Sequence, residues 1–331
     1  MNKKEQLFQD STIILETITG SQLYGTDTPE SDLDIEGVIV PPIEYALGLE
    51  SVGEIDLSIV DKDENNKNTA DAIDKKFYDL KKFMHLCIAN NPNKIELLYA
   101  PDSMIRTRTE EGKLLQDNAY IFLSSDLYNR YRGYAQSQRH KMTIKKENLD
   151  QLRKAKTQLE ILSLEPKTQG LTMSDIRYNK NKYEVSALTF TKDFLKIGDL
   201  NFQYHHKPYT IFKRVKARID KATNRLQYLD QYGYDVKFGS HLIRILSNGI
   251  ELLTEEHLTL PLKEDTRKLV SGIKRGQYTM QEVLDIGEDL EAQLDKAIKQ
   301  TKLPSRSDRD ALNKLAISIQ ESIYYNKSIN K

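Results

Sequence analysis

Tryptophan is missing from this 331-residue chain, and cysteine occurs once, at Cys87. A single cysteine excludes an internal disulfide and a cysteine-rich zinc site. It lies in the apolar stretch "FMHLCIANN", which suits a small buried residue better than a reactive thiol. Long apolar runs are missing too. No stretch reaches the roughly 18 apolar residues of a membrane-spanning helix. The opening "MNKKEQLFQD" has no apolar core of a secretory signal. A cytoplasmic protein with no membrane partner is expected. Net charge is also lacking, because 49 Lys and Arg balance 49 Asp and Glu. Affinity for a polyanion must then come from local patches. What is present is a hydrophobic content of 38%, a charged content of 30% and 18 Tyr. These suit a soluble globular chain with a charged surface, long enough for two domains. No internal repeat or low-complexity tail is visible.

Residues 5 to about 110 read as mixed α and β. "ILETIT" before Gly20 leans to strand, and "LDIEGVIV" predicts a second strand with an irregularity at Gly37, ended by Pro41-Pro42. Residues 61–72 are polar and read as a loop. "IDKKFYDL" predicts a third strand, leading into a helix at "LKKFMHLCIANN". "NPNKIELLYA" predicts another helix, with Asn91 as N-cap and Pro92 in the first turn. From about residue 120 helices dominate. Leu152, Ala155, Leu159 and Leu162 have core spacing within 126–164. Residues 209–229 place Phe212, Val215, Ile219, Ala222, Leu226 and Leu229 on one helical face, and "YGYD" then reads as a turn. Further helices are predicted over 239–253, 280–299 and 308–326, while residues 174–208 show no clear period. The fold class is α+β: a small mixed β-sheet with flanking helices in residues 1–115, then a mostly helical domain in 116–331.

The stretch "TITGSQLYGTDTPESDLDIEGVIVPP" carries the chemistry. Asp32, Asp34 and Glu36 stand at alternate positions, and a strand sends alternate side chains to one face. Like charges crowded on one face repel unless a divalent cation neutralises them. Hard carboxylate oxygens suit magnesium, which keeps waters and phosphates in its shell. The Gly20-Ser21 turn offers backbone N–H groups and a hydroxyl at a helix start, a cradle for phosphate. Together these suit displacement at a nucleotide phosphorus, with a third carboxylate from a neighbouring strand. Either dipeptide alone would mark only a turn or a solvated strand, and it is their combination that points to a site. Glu36 lies on the same alternation but next to Gly37, where a strand can bulge, and is read as a surface residue.

The stretch resembles the nucleotidyltransferases of the DNA polymerase beta superfamily, whose pattern is Gly-Gly or Gly-Ser, a spacer, then Asp-hydrophobic-Asp. Here it reads Gly20-Ser21, then Asp32-Leu33-Asp34-Ile35, with Thr19 where a hydrophobic residue is usual. It is closest to the RlaP-like branch of bacteria and phages. "GSQLYGTDTPESDLDIEGVIVPP", "LKKFMHLCIANNPNKIELLYAP" and "YGYDVKFGSHLIRILSNGIELL" look like that branch's three blocks. The likeness covers roughly 13–105 and 230–320 and leaves 140–208 as a candidate insertion. It implies a polymerase beta-like catalytic core in 1–115 and a helical domain completing the cleft. It also implies magnesium, with manganese as a substitute, held by Asp32, Asp34 and a third acid. The "DLKKF" block makes that acid Asp74; Asp56 in "EIDLSI" and Asp71 are the rivals. Gly20 and Ser21 would hold the β and γ phosphates of a nucleoside triphosphate. A basic residue often stands at the place of Glu36.

Lys237, His241, Arg244, Asn248 and Glu251 recur at steps of four and three, one polar stripe on the predicted helix. Such a stripe is either a solvated face with internal ion pairs or a phosphate contact. The third block's Lys, His and Arg imply that Lys237, His241 and Arg244 bind nucleotide. Residues 130–156 hold nine Lys or Arg against Glu147 and Asp150, and residues 207–225 hold seven against Asp220. Tyr128, Tyr131, Tyr134 and Tyr209 lie among them, a mixture that suits RNA or single strands unless the charges only wet a helix surface. The expected activity is transfer of an NMP from an NTP to a hydroxyl, at an RNA or tRNA 3′ end, with release of pyrophosphate. Alternatives are transfer to a protein side chain or small molecule, and a non-catalytic nucleotide- or RNA-binding module.

Overall fold

The computed structural model describes residues 3–29, 31–59, 72–142 and 146–329. The loop expected at 61–72, except its last residue, and the expectations for Asp71 and Lys145 lie outside the described residues. So do those for the side chains of Lys146, Glu147, Lys221, Ala222, Arg225 and Leu226.

The described residues form two compact units, 1–139 with 236–331, and 140–235. The first is built on a five-stranded sheet in the order β3-β4-β2-β1-β5. Its strands are β1 (Thr12–Ile18), β2 (Leu33–Val40), β3 (Glu54–Asp56), β4 (Ile73–Asp79) and β5 (Ile105–Arg108). β2 and β4 run parallel, and the other neighbours are antiparallel. Branched residues favour extended backbone along β1 and β2, and Ile14, Leu15, Ile35, Val38, Ile39 and Val40 are fully buried. Gly37 makes no bulge, contrary to expectation. β2 pairs with β4 without a break through Gly37, and the register shift falls in β1 between Ile13 and Leu15. Gly37 is needed for space, since a Cβ there would lie 2.5 Å from the Phe77 ring and 2.6 Å from the Leu15 carbonyl oxygen.

Helices α1 (Lys3–Asp10), α2 (Gly20–Tyr24), α3 (Ile43–Leu47), α4 (Leu80–Ile88), α5 (Pro92–Leu98), α6 (Glu110–Asp117) and α7 (Leu127–Met142) accompany the sheet. α4 begins where the Asp79 carboxylate accepts the Lys82 amide, and it buries Leu80, Phe83, Met84 and Cys87. Burial pushes the Cys87 thiol well up, which keeps it protonated and inert. Asn91 caps α5 and Pro92 opens it, as the sequence indicated.

The second unit packs α8 (Lys146–Leu164) against α10 (Pro208–Tyr232). Leu152, Ala155, Leu159 and Leu162 meet Ile211, Val215 and Ile219 in its core. The stretch without a period contains α9 (Met173–Tyr178) and two tight hairpins of β6 (Thr189–Phe190), β7 (Leu195–Ile197) and β8 (Leu200–Phe202). Two- and three-residue strands are too short to show an alternation. Gly233, at φ +78°, ends α10 in the predicted turn.

The chain then returns to the first unit with α11 (Val236–Glu255), α12 (Glu264–Lys274), α13 (Met280–Gln300) and α14 (Arg309–Ile329). This differs from the division expected at 115/116. The physical reason lies in the contacts of α11 and α12: α11 is tied to α5 through Glu96, and α12 to the loop after α2. No helix of the described residues is long and apolar enough to cross a membrane.

Candidate active site

The site grows from one end of β1 and β2. Leaving β1, the chain turns at Thr19, whose amide donates to the Asp34 carbonyl at 2.9 Å. It enters α2 at Gly20, in the left-handed region at φ +64°. The Asp34 carboxylate lies directly over this glycine. A Cβ on Gly20 would sit 1.9 Å from Asp34 Oδ2, so only glycine serves here. The Gly-Ser turn and the acidic strand are thus held in contact.

Parallel pairing sets Asp34 beside Asp74 and Glu36 beside Lys76. Asp34, Glu36, Asp74 and Lys76 therefore share one face of the sheet. Burial, then Asp32, Asp74 and Glu36, push the Asp34 carboxyl up to about 6, and Lys237 pulls the other way. Three neighbouring acids thus load a single group. Asp74 accepts from Ser58 Oγ at 2.9 Å and from Lys76 Nζ at 2.8 Å. Asp56 lies exposed on the edge strand opposite Lys76, accepting the Ser58 amide at 3.0 Å.

Glu36 is not the surface residue expected. It pairs with Lys94, a buried lysine of α5 whose ammonium also sits 4.3 Å from the centre of the Tyr78 ring. Burial raises the Glu36 carboxyl, and Lys94 opposes the shift. With no bulge at Gly37, Glu36 stays on the inner face and needs a cation.

The polar stripe of α11 divides. Lys237 and His241 are exposed, and Lys237 acts on Asp34. Arg244 does not join them: it is 4% exposed and is ion-paired with Glu96. Glu96 also accepts Tyr24 Oη at 2.6 Å and Asn248 Nδ2 at 2.9 Å, and the guanidinium stacks over Tyr24 at 4.2 Å. Arg244 thus anchors α2 from beneath. Glu251 serves its own loop, accepting the Thr259 amide and hydroxyl.

Sequence reasoning missed Ser58, Lys76, Lys94 and Glu96. Lys76 had a visible signal, two residues past Asp74 on the same strand. The other three reach their partners only through the fold.

The donor chemistry fits a hard divalent cation, since Asp34 is raised by the very neighbours such an ion would relieve. As placed, no three His, Cys, Asp or Glu side chains among the described residues close on a single point. Asp74 is held instead by Lys76 and Ser58.

A mixed sheet with a Gly-Ser turn, and carboxylates side by side on its parallel strands, is the arrangement the sequence led one to expect. The family model described as RlaP, the RNA repair pathway DNA polymerase beta family, matches residues 2–159, and that part of the chain is similar to the family. An uncharacterized 38.9 kDa protein from the nrdC–mobD intergenic region of Enterobacteria phage T4 is 26% identical over 309 residues, covering 86% of this chain and 89% of that protein. No solved structure matches the chain.

Proposed function

We propose that the protein is a magnesium-dependent nucleotidyltransferase that moves an NMP from an NTP to a hydroxyl at an RNA or tRNA 3′ end. The observation that carries this is the contact of Asp34 with Gly20, beside Asp74 in register. It sets a cation-binding carboxylate against a phosphate-binding turn. Gly20 and Ser21 hold the phosphates, with Lys237, which acts on Asp34, and His241 as further nucleotide-binding groups. Asp32, Asp34 and Asp74 hold the metal, manganese serving in place of magnesium. For Asp74 this means exchanging its bridge to Lys76 for the ion. The chemistry of a bound magnesium is to neutralise phosphate charge and to lower the pKa of the acceptor hydroxyl. The acceptor oxygen forms a bond to the α-phosphorus and loses its proton, while the bond from that phosphorus to pyrophosphate breaks. Arg244 and Glu96 keep Tyr24, and with it the turn, in place.

An RNA acceptor is supported by the family description and by a partition of charge. Residues 140–235 contain 19 Lys and Arg against 11 Asp and Glu, a net charge of +8, and the rest of the chain carries −8. The neutral total conceals a basic unit. On its helix α10, Tyr209, Lys213 and Lys216 are exposed, and Lys213 Nζ lies 4.5 Å from the Tyr209 ring centre. Their spacing puts them on one face. Cations beside an aromatic ring suit stacked single-stranded bases.

The test is incorporation of each α-labelled NTP into total RNA or tRNA with magnesium or manganese, beside Asp34→Ala. Label on RNA that disappears in the variant is the expected result. Label on protein, or pyrophosphate release without RNA labelling, would move the acceptor elsewhere. No turnover with any triphosphate would overturn the catalytic reading.

A further inference from the structure

α12 is fastened along the residues that follow the Gly-Ser turn. Just before it, the Leu262 amide donates to the Tyr24 carbonyl at 3.3 Å. Within its first turn the Arg267 side chain covers Gly25, where a Cβ would lie 3.2 Å from Arg267 Cδ. At its last residue the Lys274 ammonium donates to Thr26 Oγ1 at 2.9 Å and to the Thr26 carbonyl at 3.3 Å. Thr26 in turn donates its amide to the Ser21 carbonyl at 2.9 Å. A single residue separates Lys274 from the serine of the turn.

A crowd of cations thus stands next to the crowd of carboxylates. Lys237 and Arg244 of α11 repel the charge on Lys274, and Asp27 and Asp34 favour it. Arg244 is already committed to Glu96. Both hydrogen-bond acceptors of Lys274 are neutral oxygens, and an ammonium has three N–H donors, so one remains for a further acceptor. Burial, then the neighbouring Lys237 and Arg244, push Lys274 down to about 8. An incoming anion relieves the first crowd, and an incoming cation the second. A magnesium–triphosphate complex brings both.

We propose that Lys274, together with Lys237, receives the triphosphate tail of the nucleotide and sets the preference for triphosphates over monophosphates. This assignment rests on the nucleotidyltransferase reading.

The experiment is calorimetric binding to the full chain with magnesium, using inorganic tripolyphosphate, the four NTPs and the matching NMPs as probes. Lys274→Met is expected to weaken tripolyphosphate and the best NTP by about 10- to 100-fold, the scale of one missing charged hydrogen bond. NMP binding should change little. Lys274→Arg should restore binding to within about threefold, which a merely structural defect would not allow. Between pH 7 and 9 the wild type should lose triphosphate affinity as the free ammonium deprotonates, while Lys274→Arg stays flat. That comparison also decides the matter if Lys274→Met does not fold. Equal triphosphate affinity in wild type and a folded Lys274→Met would overturn the assignment and leave the nucleotidyltransferase reading standing. The same pH profile in wild type and Lys274→Arg would do so too. Binding of no triphosphate by the wild type would overturn both.

Discussion

Asp34 occupies the space that a side chain at Gly20 would need, and both residues carry a cost that only the site explains. Gly20 is left-handed at φ +64°, so Gly20→Ala adds backbone strain to a collision with Asp34 Oδ2. We expect a loss of about 1–3 kcal/mol in urea unfolding, and loss of any transferase activity. Asp34→Asn should act in the opposite direction on stability. The carboxyl is raised from 3.8 to about 6 in the folded protein. A raised carboxyl contributes stability that is present below pH 3.8 and is lost as pH climbs to 6. At neutral pH the charge is therefore a burden, about 3 kcal/mol by linkage and nearer ~1–2 kcal/mol once solvent screening is allowed for. Asp34→Asn should melt higher than wild type at pH 7, with the gap closing near pH 4. Added magnesium should raise the melting temperature of the wild type more than that of the variant.

Two elements are held by contacts that do not involve Asp32, Asp34 or Asp74. α11 reaches α5 and α2 through the buried Arg244–Glu96 pair. Removing one partner strands a buried charge, so Arg244→Met or Glu96→Gln alone should cost about 3–5 kcal/mol. The double variant should cost less than the two single effects added together, and chemical denaturation of all four proteins measures the coupling. In β2, Gly37→Ala drives a methyl into the Phe77 ring and a backbone carbonyl, for an expected destabilisation of about 1–3 kcal/mol. Had Gly37 formed a bulge, the same change would be nearly silent, so its unfolding midpoint reads the strand geometry directly.

At the scale of the whole molecule the chain is neutral yet sharply divided, +8 in residues 140–235 and −8 elsewhere. If the basic unit grips RNA, affinity must fall with salt as counterions are released. For a single strand the log–log slope is roughly −0.7 per phosphate neutralised. Charge reversal at Lys213 and Lys216 should flatten that slope by about 0.7 for each phosphate left without its lysine. Filter binding of a labelled RNA oligonucleotide between 50 and 300 mM salt, as an approximate range, measures it. An unchanged slope would remove these lysines from the RNA surface.

The sequence by itself determined the local elements and singled out the Gly-Ser turn and the acidic strand that the fold holds in contact. Strand-favouring apolar runs placed β1, β2 and β4. Asn91 and Pro92 opened α5, and the Gly-Ser turn announced itself beside Asp32 and Asp34. These are signals between residues a few positions apart, where backbone geometry alone sets which side chains share a face. The structure alone decided the partners. Glu36 meets Lys94 across 58 residues, Arg244 meets Glu96 across 148, and Lys274 meets Thr26 across 248. Composition and spacing carry no record of such pairs. Whether a polar side chain is solvated or buried in an ion pair depends on which surface folds over it. That is why Arg244 read as a phosphate ligand and proved to be an anchor for α2. It is also why Lys274 emerged only when α12 was laid along the turn.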